Sequence, residues 1–197
     1  IDSALKQKIE VEQIEFALGI TAEMHRLAME MSRPGLLEQE VVGASMGIAG
    51  TRGAAPSFSA IFSVDGQILH NPNHLNVMHD GDIVIHDSGA QSPMYYASDI
   101  TRTFPVAGKF TQKQKEIYTV LLNAQLKAIG AVSPGVEYRD VHILTCRQIA
   151  AGLISLGLMK GDVGEAVAAG AHALFMPHGL GHMLGLDAHD MEDLGED

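Results

Sequence analysis

The sequence predicts an α+β domain in which a helix–turn–helix unit occurs twice, each copy followed by short strands. Three observations predict it. Long segments with inward positions spaced near 3.6 residues alternate with short β-rich runs. "RPGLLEQEV" at 33–41 and "SPGVEYRDV" at 133–141 share Pro, Gly and Val at an offset of 100, each between two helical patterns. The 197 residues suffice for one substantial domain with a full-sized core.

In chain order, the first helix covers 5–31, with Ile9, Ile14, Ala17, Thr21, Met24, Ala28 and Met31 on one face, and "RPG" at 33–35 stops it. A second helix is expected over Gln39–Met46, followed by a polar glycine loop. Strands over Ala60–Val64 and Gln67–His70 flank an Asp65-Gly66 turn and read as a hairpin. "DIVIHD" at 82–87 alternates, placing Ile83, Ile85 and Asp87 on one face and Val84 and His86 on the other. "YYASDITRTF" at 95–104 is a second β-rich run. A helix over 111–132 begins at a Thr cap, turns Ile117, Val120, Leu121, Ala124 and Ala128 to one face, and stops at "SPG". Another covers roughly Tyr138–Leu156, and "DVGEAVAAGAHAL" forms a shorter one. No linker, low-complexity tract or charge block divides the chain.

Hydrophobic residues make up 46% of the chain, charged ones 19%, and there is no run of eighteen apolar positions and no basic-then-apolar leader. The expectation is a soluble, cytoplasmic protein without membrane contact. A net charge of −11 argues against nucleic acid or anionic lipid as partner, because both are repelled, and suits metal cations or cationic groups. The single Cys146 allows no internal disulfide, gives no Cys-based zinc pattern, and sits mid-helix as a core residue rather than a nucleophile. "GASMGIAGTRG" contains neither a P-loop nor a GxGxxG fingerprint, and no GxSxG elbow occurs. The start at Ile1 and the stop at "DLGED" suggest a segment of a longer protein.

Two groups of residues point to chemistry. Asp87 shares a strand face with Ile83 and Ile85, where a desolvated carboxylate requires a cation, a donor or a proton. Asp99 reaches the same point if the two strands pair about the "QSPM" turn, and paired oxygen donors suit Mn, Co, Fe or Zn. Alone, the pair also fits two aspartates capping turns in water. "HGLGHMLGLDAHD" at 178–190 adds three histidines among glycines. His178 and His182 share a face as strand or helix, and His189 follows at the wrong parity unless Gly185 permits a turn. The spacing matches neither HExxH nor a Cys-His zinc pattern, so the residues alone define a carboxylate-and-histidine metal site and nothing finer. His70, in "GQILHNPNH", is a further candidate, while His74, His79 and His86 read as loop or strand-surface residues.

At "ILHN" (68–71), "DSGA…YYASDITRTFPVAGKF" (87–110) and "HGLGHMLGLDAHD" the chain resembles the pita-bread metallopeptidases, most closely their Xaa-Pro aminopeptidase and proline dipeptidase branch. The resemblance runs through nearly the whole chain as one catalytic domain, 1–197, with the family's N-terminal domain absent and its last strands lacking. It implies a curved antiparallel sheet flanked by duplicated helix pairs, in agreement with the 100-residue offset.

The resemblance further implies two divalent ions, Mn foremost with Co, Zn or Fe as alternatives. Asp87 would bind one ion, Asp99 would bridge both and His182 would bind the other. His70, His178 and His189 would line the substrate site as the catalytic histidines. The implied reaction is removal of an N-terminal residue that precedes proline, by a hydroxide held between the metals. The substrates would be peptides with proline second, and a homo-oligomer is left open. The aspartates stand twelve apart where eleven is expected, which places one extra residue in the turn at "QSPM". Two further glutamate ligands are expected tens of residues beyond His182; Glu192 and Glu196 come too soon to take those roles. With three of five ligands, the 197-residue piece alone is expected to be metal-poor and inactive. Proline dipeptidase and methionine aminopeptidase are the alternatives within the class, and a non-catalytic peptide-binding module is the alternative outside it.

Overall fold

The computed structural model describes residues 5–191 and divides into two compact units, Ile1–Phe110 with His182–Asp197, and Thr111–Gly181. Glu192 and Glu196 lie outside the described residues.

The first unit opens with α1 (Lys8–Met31) and α2 (Glu38–Thr51). The structure runs α2 on to Thr51, through the glycines expected to form a loop, because nothing between Gly47 and Gly50 supplies a competing turn. β1 (Ala55–Pro56) pairs with β4 (Ala90–Gln91), and β2 (Ile61–Ser63), β3 (Ile83–Ser88) and β5 (Ile100–Pro105) form a three-stranded antiparallel sheet in the order β2-β3-β5. The expected Gln67–His70 strand is absent: those residues form exposed turns, and β2 takes β3 as its partner, with Ile61 opposite Asp87. Two residues at the Asp65-Gly66 bend cannot hold a hairpin when residues 66–70 present Ile68 and Leu69 to solvent and offer no buried face.

β3 alternates as expected, but its more buried face is the other one: Val84, His86 and Ser88 are enclosed while Ile83, Ile85 and Asp87 are half-buried. The reason is α1 and α2, which cover the Val84 side. Ala28, Val41, Phe62, Met78, Val84, Phe104 and Val106 form the main core, and Ile20, Met24, Ala49 and Ala90 a second cluster.

The second unit packs α3 (Gln112–Ala131) on α4 (Tyr138–Ser155), followed by α5 (Val163–Ala168) and a 3-10 turn (Ala171–Leu174). Thr111 caps α3, its Oγ1 accepting from the Gln114 amide, and Asp162 caps α5 through the Gly164 and Glu165 amides. The two helix pairs keep the 100-residue offset: α1 ends at Met31 and α3 at Ala131, α2 begins at Glu38 and α4 at Tyr138. Each pair is joined by a Pro-Gly turn whose glycine, Gly35 (φ 93°) or Gly135 (φ 85°), takes a left-handed conformation that L side chains resist. Among the described residues no helix is long and apolar enough to cross a membrane.

Candidate metal centre

Asp87 stands near the end of β3, opposite Thr101 of β5, and Asp99 lies just before β5 begins. The base of this hairpin is fastened to α1. The Ser98 hydroxyl bonds the Ala90 carbonyl at 2.8 Å and the Thr21 hydroxyl at 2.7 Å, and the Ala90 amide donates to Thr21 Oγ1 at 2.9 Å. Asp99, next to Ser98, is therefore held by a buried polar knot rather than by a free loop. The intervening turn closes through the Ser92 amide to the Tyr96 carbonyl and the Tyr95 amide to the Ser92 carbonyl, with Tyr95 at φ 69°.

Residues 182–190 dock on the same hairpin. The Ala97 amide donates to the Gly185 carbonyl at 2.7 Å, which brings His182 to Asp99, Nε2 to Oδ2 at 3.1 Å. Gly185 is required here for close approach: a Cβ would lie 2.3 Å from Asp190 Oδ2. Asp190 is buried and paired with Lys6 at 2.7 Å, so it has little room to yield. The chain turns back through this point and lays the His189 ring on that of His182, centroids 3.8 Å apart and planes 13° from parallel. The parity problem in the sequence is thus resolved by a fold-back at Gly185.

The donor set fits a cation. Asp87 Oδ1 is buried without a hydrogen-bond partner among the described residues. Burial, then the neighbouring Asp99 carboxylate, raises the Asp87 pKa to about 7, with a hydrogen bond from Thr101 opposing them. On His182, Nδ1 faces the Met183 carbonyl at 2.9 Å; in the neutral ring it is the donor there, which leaves the Nε2 lone pair turned to Asp99 Oδ2. Two acceptors at 3.1 Å need a proton or a positive ion between them. An orphaned carboxylate oxygen and an acceptor pair, both in unit 1, are what a hard-to-borderline divalent ion would satisfy.

The structure brings together Asp87, Asp99, His182 and His189. His70 stands on an exposed turn at φ 53°, and among the described residues no hydrogen bond or ring contact ties it to the cluster. His178 belongs to the second unit, exposed, its Nδ1 2.8 Å from the Gly179 carbonyl. Thr101 was not singled out in the sequence, although its position opposite Asp87 follows once the β3–β5 register is known. His86 is a correction. It is fully buried rather than on the strand surface, because its face of β3 is the one under α1. It bonds Ser88 Oγ at 2.9 Å and lies 4.1 Å, centroid to centroid, from His25 of α1. Burial first, then His25, pushes its pKa down to about 3, and burial lowers that of His25.

A duplicated helix-pair α+β fold with two carboxylates and a histidine converging at a strand end has the outline of a metallopeptidase of the pita-bread kind. The chain belongs to metallopeptidase family M24, whose profile matches residues 12–196. It is 41% identical over 195 residues to the Xaa-Pro aminopeptidase of Escherichia coli, covering 98% of this chain and 44% of that protein. It is 35% identical over 197 residues to the human Xaa-Pro dipeptidase, covering 94% and 39%. Among solved structures, zinc-substituted E. coli aminopeptidase P in complex with product superposes with a TM-score of 0.93 at 40% identity, covering 96% of this chain and 44% of that one. An alanine variant of the same enzyme in complex with substrate gives a TM-score of 0.95. The fold is therefore the pita-bread fold of aminopeptidase P, and the chain spans less than half the length of the curated relatives it matches.

Proposed function

We propose that this chain is an incomplete catalytic domain of a dinuclear, Mn-preferring Xaa-Pro aminopeptidase. Asp87, Asp99 and His182 hold the metal, and His70, His178 and His189 serve the substrate. The observation that carries the reading is the juxtaposition of the orphaned Asp87 Oδ1 with the Asp99–His182 acceptor pair. Bound divalent ions would polarise the scissile carbonyl and supply a nucleophile at neutral pH.

The chain's own contribution is positional. In the neutral ring the Met183 carbonyl accepts from Nδ1–H of His182, which turns the Nε2 lone pair toward Asp99. The His189 ring, stacked flat on His182, is held at the edge of the cluster, where it can orient a bound peptide. Desolvation at Asp87 means its carboxyl must give up a proton as a cation enters. Proline in the second position has no amide hydrogen and a fixed backbone angle, so the site must select for those features.

Identity is higher to the E. coli aminopeptidase than to the human dipeptidase, which favours the aminopeptidase reading over cleavage of free dipeptides. Of five ligands that the family resemblance implies, this chain presents three, so the 197 residues alone should bind metal weakly and hydrolyse little. The test loads both this chain and a longer version of its parent with Mn²⁺ and measures release of the first residue from an Xaa-Pro-Xaa peptide and from an Xaa-Pro dipeptide. The longer version should cleave the tripeptide, with Asp99→Asn lowering the rate at least ~10²-fold. Equal activity in both proteins would refute the ligand argument, and no cleavage by the longer one would refute the function.

A further inference from the structure

The second unit holds another group of ligating side chains, chemically unlike the first because it contains sulfur and no carboxylate. His142 and Cys146 are one turn apart on α4, hence on one face, and His172 comes from the 3-10 turn that follows α5. One ligand atom from each of the three lies within 4.8 Å of the others. His142 Nε2 is 3.4 Å from Cys146 Sγ. That is near the ~3.5 Å edge of a tetrahedron with Zn–S and Zn–N bonds of about 2.3 and 2.0 Å.

Two simpler accounts fall short. A sulfur–imidazole hydrogen bond explains His142 and Cys146 but leaves unexplained His172, whose Nδ1 is buried with no hydrogen-bond partner among the described residues. A reactive thiol needs access, yet Cys146 is fully enclosed in a cluster with Ala150 and Val167, against Ile143, Met159, Val163 and Met176. His172 thus brings an unsatisfied imidazole to within ligand distance of a buried sulfur and a second imidazole, and a cation gives all three groups a positive partner.

We propose that His142, Cys146 and His172 form a separate site for a zinc-class divalent ion, with one thiolate and two imidazole ligands and the fourth position open to water or an external ligand. Such an ion ties the 3-10 turn to α4 and so steadies the chain just before the glycine- and histidine-rich segment from His178 onward. The site is independent of the Asp87–Asp99–His182 centre and survives or fails whatever reaction the protein performs.

Because the chain has one cysteine, a thiolate–metal signal reports on this site alone. Metal-free protein is titrated with Co²⁺ and followed by absorption. The expected result is a sulfur-to-cobalt charge-transfer band saturating at one equivalent, abolished in Cys146→Ala and retained in Asp99→Ala. His172→Ala and His142→Gln, at half-buried positions that leave the core intact, weaken the affinity at least roughly tenfold. Zinc erases the band by displacement. Circular dichroism of the metal-free variants checks folding, and if Cys146→Ala does not fold the two histidine variants decide. No band at saturating Co²⁺ overturns the proposal, as does a band of unchanged affinity in both histidine variants, which signifies a lone thiol collecting metal.

Discussion

At the scale of single residues, neighbours on the two faces of β3 carry opposite dependences on pH. His86 is buried with its pKa pushed down to about 3, against ~6.5 in an unfolded chain. Between those values the unfolded state binds the proton and the folded state does not. The contribution of His86 is therefore complete above about pH 6.5 and is lost as pH falls toward 3, by a few kcal/mol at the order-of-magnitude level. Asp87 is raised to about 7 by burial and by Asp99. Here the folded state binds the proton first, so its contribution grows as pH falls from about 7 to the usual carboxylate range. Denaturant unfolding in chelator, from about pH 7.5 to about 4.5, separates the two. The advantage of wild type over His86→Gln should shrink as pH falls, and that over Asp87→Asn should grow; parallel profiles would contradict both assignments. Gly185 supplies a third test at this scale. Gly185→Ala forces Asp190 away from Lys6, and should cost about 1–3 kcal/mol by thermal denaturation. A melting temperature equal to wild type would show that Asp190 has room that the structure denies it.

At the scale of elements, the two Pro-Gly turns do the same work in the two helix pairs. Gly35 and Gly135 both sit at strongly positive φ with open space around the missing Cβ. Gly35→Ala and Gly135→Ala should each cost ~1–2 kcal/mol through backbone strain alone, and the two costs should agree. A neutral result at either turn would mean that the backbone relaxes there. These turns were legible in the sequence because Pro-Gly chemistry is local. So were α1, α3 and α4, whose periodicity runs over many turns. The β3–β5 pairing was legible as a condition, from an alternating run and a β-rich run around a turn, and the structure meets it. Three things were not legible, each because it depends on long-range packing. The partner of β2 is β3 rather than the adjacent segment, the buried face of β3 is chosen by α1 and α2, and α2 persists through its glycines. The candidate site divided in the same way. Asp87, Asp99 and His182 carried a signal in their residue types, whereas Thr101 has meaning only through register and His172 only through a fold-back onto α4. In the sequence Cys146 reads as a core residue, which its burial bears out, and its two histidine neighbours come from positions no Cys-His spacing rule connects.

At the scale of the whole molecule, the two units have unequal cores, although their helix pairs share one plan. The first encloses large side chains, among them Phe62, Met24, Met78 and Val84, between helices and sheet. The second buries Ala124 and Ala128 along α3 against α4, and leaves Leu121, Leu126 and Ile129 of α3 exposed at 49%, 58% and 64%. The helical period placed Leu121 on the inward face, but packing against one helix covers only a narrow stripe, and small residues occupy it. Area removed from water sets most of the stabilisation, so a stripe of alanines contributes much less than an enclosed layer of Phe, Met and Val. Local opening should therefore be easier in the second unit. Hydrogen exchange of the metal-free chain should show α3 amides exchanging at least roughly tenfold faster than those of β3 and the middle of α1. Equal protection would mean that both units open only by global unfolding. Zinc gives that measurement a second use, since an ion at His142, Cys146 and His172 would slow exchange in α4 and the 3-10 turn while leaving β3 unchanged.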